Sequence, residues 1–424
     1  MRWRVALLGA AAVLACTPRV RDGGEGAIRA ARGVPPVRVA LATGLGTVPL
    51  AASGGWTLTD ARGDVLVRAR AGERWEVQRR GSELRAIRDI GTATAWRAGP
   101  LTQRPERGGA VRHAGKSYRG ALRIVTTESG LAAVNVVPLE DYLRGVVPLE
   151  LGPRPRAERA AVEAQAIAAR SYTVIRMAAR GARAAPFDLG ATVADQVYGG
   201  RDAEDPVADA AVAGTAGRVL LYGGRVVTAP FHSTCGGETA AAQEVWRSDG
   251  EPHLRRVSDR IPGRDRYYCD IAPRFAWTRE LSGATLNAVV ARYLAAFVTV
   301  PTGGPGEVDA VSVVGRTPSG RVDQLRIRAV RGTFAVRGND ARSVLRSDAG
   351  EPLPSAYFEV RAVPASGGGI GRLVIRGNGF GHGVGMCQWG AIGRARAGQS
   401  ARAILRTYYP GTTIGPIPSG SFTQ

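Results

Sequence analysis

Two short segments hold residue types that can move protons or make thiolates. The first is VPLEDYLRGVVPLELGPRP, residues 137 to 155. Glu150 stands between a strand-like run ending at Val147 and a helix that opens near Pro155, with Leu149 and Leu151 on either side. A carboxyl beside apolar neighbours is partly desolvated, which raises its pKa and suits it to donate a proton. The nearby helix N-terminus acts in the opposite sense by favouring the anion. On these residues alone Glu150 reads as a helix-leading acid of ordinary pKa. Glu140 and Asp141 read as first-turn capping acids of the segment EDYLRGV.

The second segment is GNGFGHGVGMCQWGA, residues 377 to 391, with glycine at every second position from Gly377 to Gly385. In an extended chain this leaves one face bare and puts Asn378, Phe380, His382, Val384 and Met386 on the other. Five glycines cost backbone entropy, so either another chain approaches closely or the backbone turns where only glycine can. The period of two excludes a G-x-G-x-x-G fingerprint, and without lysine no Walker loop fits, so nucleotide binding drops out. His382 and Cys387 offer a histidine-activated thiol. Five positions apart on an extended segment they face opposite sides, which favours a small buried cysteine and a structural or substrate-contacting histidine. No G-x-S-x-G elbow supports a serine hydrolase.

A formal charge of +21, from 57 basic and 36 acidic residues, is carried almost wholly by arginine. Such a field favours polyanions: nucleic acid, anionic lipid or a wall polymer rich in carboxylates. The N-terminus chooses among them. MRWRVALLGAAAVLAC has Arg2 and Arg4, an apolar run from Val5 to Ala15, and then Cys16. The run is too short for a membrane span and has the order of a secretory signal, with a lipobox-like ending before Cys16. The expectation is an exported lipoprotein, anchored by Cys16 on the periplasmic side of the envelope through a polar tether, or secreted if not lipidated. Export argues against nucleic acid as a partner.

A third cluster follows in APFHSTCGGETAAAQEVW, residues 229 to 246, with His253 and Cys269 beyond it. His232, Cys235, His253 and Cys269 are donor types for tetrahedral zinc. Their irregular spacing and an oxidising compartment favour a Cys235–Cys269 disulfide instead, with no metal and no cofactor.

Several kinds of element position these segments. From about Val37 to Val137 short apolar runs alternate with turn residues, the spacing of many short strands. Residues 156 to 180 carry a helical stripe at Ala164, Ile167, Ala168, Ser171, Ile175, Ala178 and Ala179, between Pro155 and Gly181. Further helices are expected over 286–297 and around 399–408, with strand-like runs between them. The pattern is α+β with antiparallel pairing: many short strands and a few helices in one large elaborated domain with β-rich parts. The expected divisions are a leader over 1–15, a tether over 16–35, a β-rich part over 36–130, a core with the glutamate and helices over 131–300, and a β-rich part with the glycine motif over 301–424.

Taken in order, VNVVPLEDYLRGVVPLEL, AERAAVEAQAIAARSYTV, DQVYGG, AVAGTAGRVLLYGGRVVTAPFHSTCGGETA, EVW, PHLRRVSD, GNGFGHGVGMCQWGAIGRARAGQS and YYPGT cover most of residues 120 to 415. In these motifs the sequence resembles the stage II sporulation protein D and amidase-enhancer family. The resemblance implies action on peptidoglycan as a lytic transglycosylase that cuts glycan strands, preferably those stripped of stem peptides, to 1,6-anhydro ends. It also implies an alternative, a non-catalytic protein that binds peptidoglycan and stimulates a partner amidase. The family's catalytic glutamate maps to Glu150, reversing the local reading. Tyr142, Tyr198, His232, Ser233, His382, Gln388 and Trp389 lie in matching motifs and are implied to line or support a glycan groove. Two positions depart from the pattern the resemblance implies: Cys387 stands where serine is common, and Leu151–Gly152 stand where methionine–proline usually follows the glutamate, with Pro153 one place later.

Overall fold

The computed structural model describes residues 33–88, 91–181, 185–246 and 249–422. The expected leader and Cys16 lie outside the described residues. No described helix is long and apolar enough to cross a membrane.

The fold is α+β, as the alternation of textures predicts. The strand-rich first part builds a seven-stranded sheet in the order Leu189–Gly190, Val37–Leu45, Gly130–Val137, Ala121–Thr127, Leu101–Pro105, Trp56–Thr59, Val65–Ala69. A six-stranded sheet centred on Val48–Ala52 and Trp75–Arg80 lies beside it. Pairing is antiparallel throughout these sheets except where Val39 and Ala40 meet Leu189 and Gly190 in parallel.

The helices begin where strand alternation stops. Helix α1 (Leu139–Arg144) and α2 (Val147–Leu151) lead into α3 (Arg159–Gly181), the predicted long helix. Helix α3 is buried on nearly all sides through its middle, more than a single stripe requires. The reason is its place: α4 (Pro206–Gly214), α8 (Gln388–Arg396) and α9 (Ala401–Tyr408) all pack on it. A short α5 spans Ala242–Val245. Ser400 caps α9 and Ser282 caps α6 (Gly283–Tyr293), each accepting from a backbone N–H three residues on, so α9 starts close to the expected 399 while α6 starts three residues before the expected 286.

Two large cores divide the described residues. The first joins residues from Val37 to Cys269 with Val384 to Tyr409. The second contains only residues from Leu281 to Ile375, gathered from α6, α7 (Gly338–Val344) and strands between Ala276 and Asn378. Residues 276–378 therefore form an inserted α+β unit, and the glycine-rich segment is where the chain returns to the first core.

One buried pair ties the helical layer together. Glu140 and Asp141 were expected to cap α1, but that helix has no side-chain cap. Glu140 instead meets Arg170 of α3, at 2.6 and 3.0 Å, and also accepts from the Gly217 N–H at 3.0 Å. Arg170 is wholly buried, and its remaining N–H groups reach carbonyls of Val212 and Arg218. Removing one partner leaves an uncompensated interior charge. Arg170→Met is expected to lower unfolding free energy by about 3–5 kcal/mol, read from denaturant titration; a loss within experimental error of zero would show the pair to be dispensable.

Candidate active site

Glu150 sits in the last turn of α2, half-buried, with Leu149 exposed on one side and Leu151 buried on the other. Its carboxylate Oε1 accepts a single backbone hydrogen bond, from Val197 N at 2.9 Å. Burial raises the carboxyl pKa above the usual carboxylate value, and the Val197 N–H offsets only part of that. Gly152 ends the helix at φ 76°. Proline is locked near −65°, so the backbone just after the acid takes a conformation that glycine allows and proline does not.

The glycine-rich segment delivers the neighbours. Gln388 opens α8 and donates from Nε2 to the Glu150 carbonyl at 3.0 Å, with Gln165 Oε1 at 3.4 Å. Trp389, half-buried, carries the Arg154 guanidinium 5.3 Å from its ring centroid, and its backbone N–H donates to the Ser233 carbonyl at 3.0 Å. The start of α8 is thus tied to Glu150 through Gln388 and to Ser233 through the backbone of Trp389. Arg154 joins them; the sequence offered for it only its place between two prolines.

Tyr142 and Tyr198, expected to offer ring faces to sugars, lie in the core with 0% and 3% exposure. Their rings stand 4.9 Å apart, and their hydroxyls donate to Gln196 Oε1 and Asn135 Oδ1. Buried in this way, they cannot stack on a ligand in this conformation. The tyrosine that sequence reasoning missed is Tyr172, half-buried on α3. Its phenol is pushed up to about 12, first by burial and then by Asp195, which accepts its hydrogen bond at 3.1 Å, with Glu150 adding a smaller push. It was legible only as the break in an alanine-rich stripe.

The alternating glycines are not a bare strand face. Gly379, Gly381, Gly383 and Gly385 all have φ between 74° and 109°. Both reasons for glycine hold at once, because the chain turns and is also approached. A Cβ on Gly385 would lie 2.1 Å from Pro230 O, and one on Gly379 would lie 2.8 Å from Thr234 O. The segment that lies so close is 230–236, joined by reciprocal bonds between Thr234 and Phe380 and by a short parallel pairing of Phe231–His232 with Met386–Cys387. His382 is held neutral: Nε2 faces Phe231 O at 2.9 Å, Nδ1 accepts from Val384 N, and burial lowers its pKa to about 4. His232 is buried, its Nδ1 facing Val384 O, and burial drives its pKa well below the usual value. The two rings lie 5.4 Å apart and brace the segment from within.

Cys235 and Cys269, the expected disulfide partners, are brought together but not joined, with sulfurs 3.4 Å apart. Cys387 and Asp259 complete a buried group whose donor atoms all lie within 4.8 Å of one another. His253 is elsewhere, its Nε2 at 2.8 Å from Thr228 O, so the histidine-containing quartet does not assemble.

The family model described as "Stage II sporulation protein" matches residues 127–222, and one described as a domain of unknown function matches residues 265–385, nearly the inserted unit. The chain is 32% identical to stage II sporulation protein D of Bacillus amyloliquefaciens over 68% of its length and 77% of that protein. It is 31% identical to an uncharacterized protein of Brachyspira hyodysenteriae over 71% of the chain and 73% of that protein. It is 30% identical to the amidase enhancer of Bacillus subtilis over 64% of the chain, although it spans only 40% of that longer relative. The chain belongs to the stage II sporulation protein D family.

The close approach at Gly385 separates packing from dihedral strain. Gly398 has a similar φ, 81°, with open space around it. Gly398→Ala should cost about 1–2 kcal/mol, the left-handed penalty alone. Gly385→Ala should cost clearly more or prevent folding, measured by thermal denaturation of both variants; equal losses would remove the contact argument.

Proposed function

We propose that this protein is an exported lytic transglycosylase that cleaves the bond between N-acetylmuramic acid and N-acetylglucosamine in peptidoglycan strands, with Glu150 as general acid and base. The observation that carries this reading is the environment of Glu150: a half-buried carboxyl of raised pKa, held by one backbone N–H, in a turn whose backbone carbonyl is tied to Gln388. Protonated Glu150 gives its proton to the glycosidic oxygen as the C1–O bond breaks. As a carboxylate it then takes the proton of the muramic acid C6 hydroxyl, whose oxygen bonds to C1 and closes the 1,6-anhydro ring. The nucleophile belongs to the substrate, so the paired carboxylates of ordinary glycoside hydrolysis are not required. Trp389 and Tyr172 supply the ring faces, and Ser233 the polar contact, that hold the sugar. Gln388, His382 and His232 position the segment that bears Trp389, and Tyr142 and Tyr198 support its floor.

The second reading, a non-catalytic stimulator of an amidase on the glycan, rests on the similarity to the amidase enhancer. Mass spectrometry of denuded glycan strands separates the two. Wild-type protein should generate anhydro-muramic ends, and Glu150→Gln should reduce them by at least about 100-fold, the scale of a general acid–base contribution. Wild-type protein that yields none sinks the enzymatic reading.

Cys16 is proposed as the lipidated residue that anchors the chain to the envelope membrane. Metabolic labelling with a fatty-acid analogue should mark the wild type and not Cys16→Ala; an unlabelled wild type would leave the protein secreted.

A further inference from the structure

Three thiols and a carboxylate converge in the interior, although no step at Glu150 calls on them. Cys235 comes from the turn after His232, Asp259 and Cys269 from one irregular stretch, and Cys387 from the residue that caps α8. Cys235, Asp259 and Cys387 are each 0% exposed, and so is Cys269.

Backbone donors and a carboxylate face the sulfurs. Cys387 Sγ accepts from two backbone N–H groups, those of Cys235 and Gly390, both at 3.2 Å. Asp259 turns Oδ1 to the Tyr408 hydroxyl at 2.7 Å and to Arg394 Nη2 at 2.9 Å, and leaves Oδ2 facing Cys235 Sγ at 3.5 Å. A carboxylate oriented through one oxygen with its other oxygen turned to a donor cluster is the arrangement that supports metal ligands. Arg394 brings a positive charge to the same group. Helix α8 makes room for the carboxylate, since a Cβ on Gly390 would lie 2.1 Å from Asp259 Oδ2.

A disulfide uses these groups poorly. It would consume Cys235 and Cys269, leaving Cys387 with two donors aimed at its sulfur and Asp259 Oδ2 without the thiol it faces. Ligands on a tetrahedral zinc at about 2.3 Å stand about 3.8 Å apart, close to the 3.4 Å found between the two sulfurs. Four protein donors with no open position describe a structural site, not a catalytic one.

We propose that Cys235, Cys269, Cys387 and Asp259 bind one zinc ion. Binding forms three zinc–sulfur bonds and one zinc–oxygen bond, with the thiol protons leaving to solvent. The ion joins the 235 turn, the 259–269 stretch and the start of α8, and so fixes the helix whose first two residues are Gln388 and Trp389. A chain with serine at position 387 would lack one ligand, so the site requires the cysteine.

The test uses the full chain purified from zinc-supplemented cells without chelator. Elemental mass spectrometry should find about one zinc per chain, and replacement by Co2+ should give the near-ultraviolet thiolate-to-cobalt charge-transfer absorption. Cys387→Ser should lose the metal. Tyr408→Phe, which keeps the fold's ring but not its hydrogen bond to Asp259, should weaken zinc affinity about 10-fold or more. Wild-type protein without stoichiometric metal overturns the site, whether non-reducing peptide mapping shows Cys235 joined to Cys269 or three free thiols. Zinc bound with no thiolate band in the cobalt form overturns it equally.

Discussion

The structure depends on how closely two pieces of backbone lie together, 230–236 and 379–387. Pro230 O and Thr234 O stand where side chains of Gly385 and Gly379 would be. That approach is possible only for glycine, and it fixes the direction in which the chain leaves Met386 and enters α8. Gln388 then meets Glu150, Trp389 meets Arg154 and Ser233, and Cys387 meets Cys235. Each of these contacts spans more than 150 residues, so none has local support. The entropy lost by ordering so many glycines is offset by what they bring together.

The acid end of the site is held by different physics. Helix α2 is too short to stand by itself. It is fixed because α1 before it is clamped to α3 through Glu140 and Arg170, and because Val197, from the segment after α3, caps the Glu150 carboxylate. Burial therefore shapes both carboxylates, with opposite results. Glu140 is paired with a buried guanidinium, whereas Glu150 receives one amide and its pKa is raised by burial.

The inserted unit has its own core, yet it is not detached from the site. Arg321, 2% exposed, donates to the carbonyls of Cys235 and Glu238, and Ser319 N donates to Glu244 Oε2. The strand Ile370–Asn378, which closes the insert, runs directly into the glycine turns. Whatever the insert does, its orientation is coupled to the backbone that positions Gln388 and Trp389.

The sequence by itself determined the α+β texture, the long helix from its stripe and flanking Pro155 and Gly181, helices near 286–297 and 399–408, and the family through motifs kept in order. It also raised the right question about the glycines, because a period of two without side chains has few physical causes. It could not say that the turns were left-handed, since any glycine permits that, nor that residues 276–378 form a separate core, since an insertion leaves no mark on local periodicity. Tyr142 and Tyr198 looked like sugar-stacking residues because side-chain type is visible in sequence and burial is not. Glu140 resembled a cap for the same reason, its partner Arg170 being thirty residues away. Only the tertiary structure decided that Glu150 is desolvated, that Cys387 joins Cys235 and Cys269, and that Asp259 joins them. Desolvation and metal-like clustering are properties of what surrounds an atom, and the surroundings here come from four distant parts of the chain.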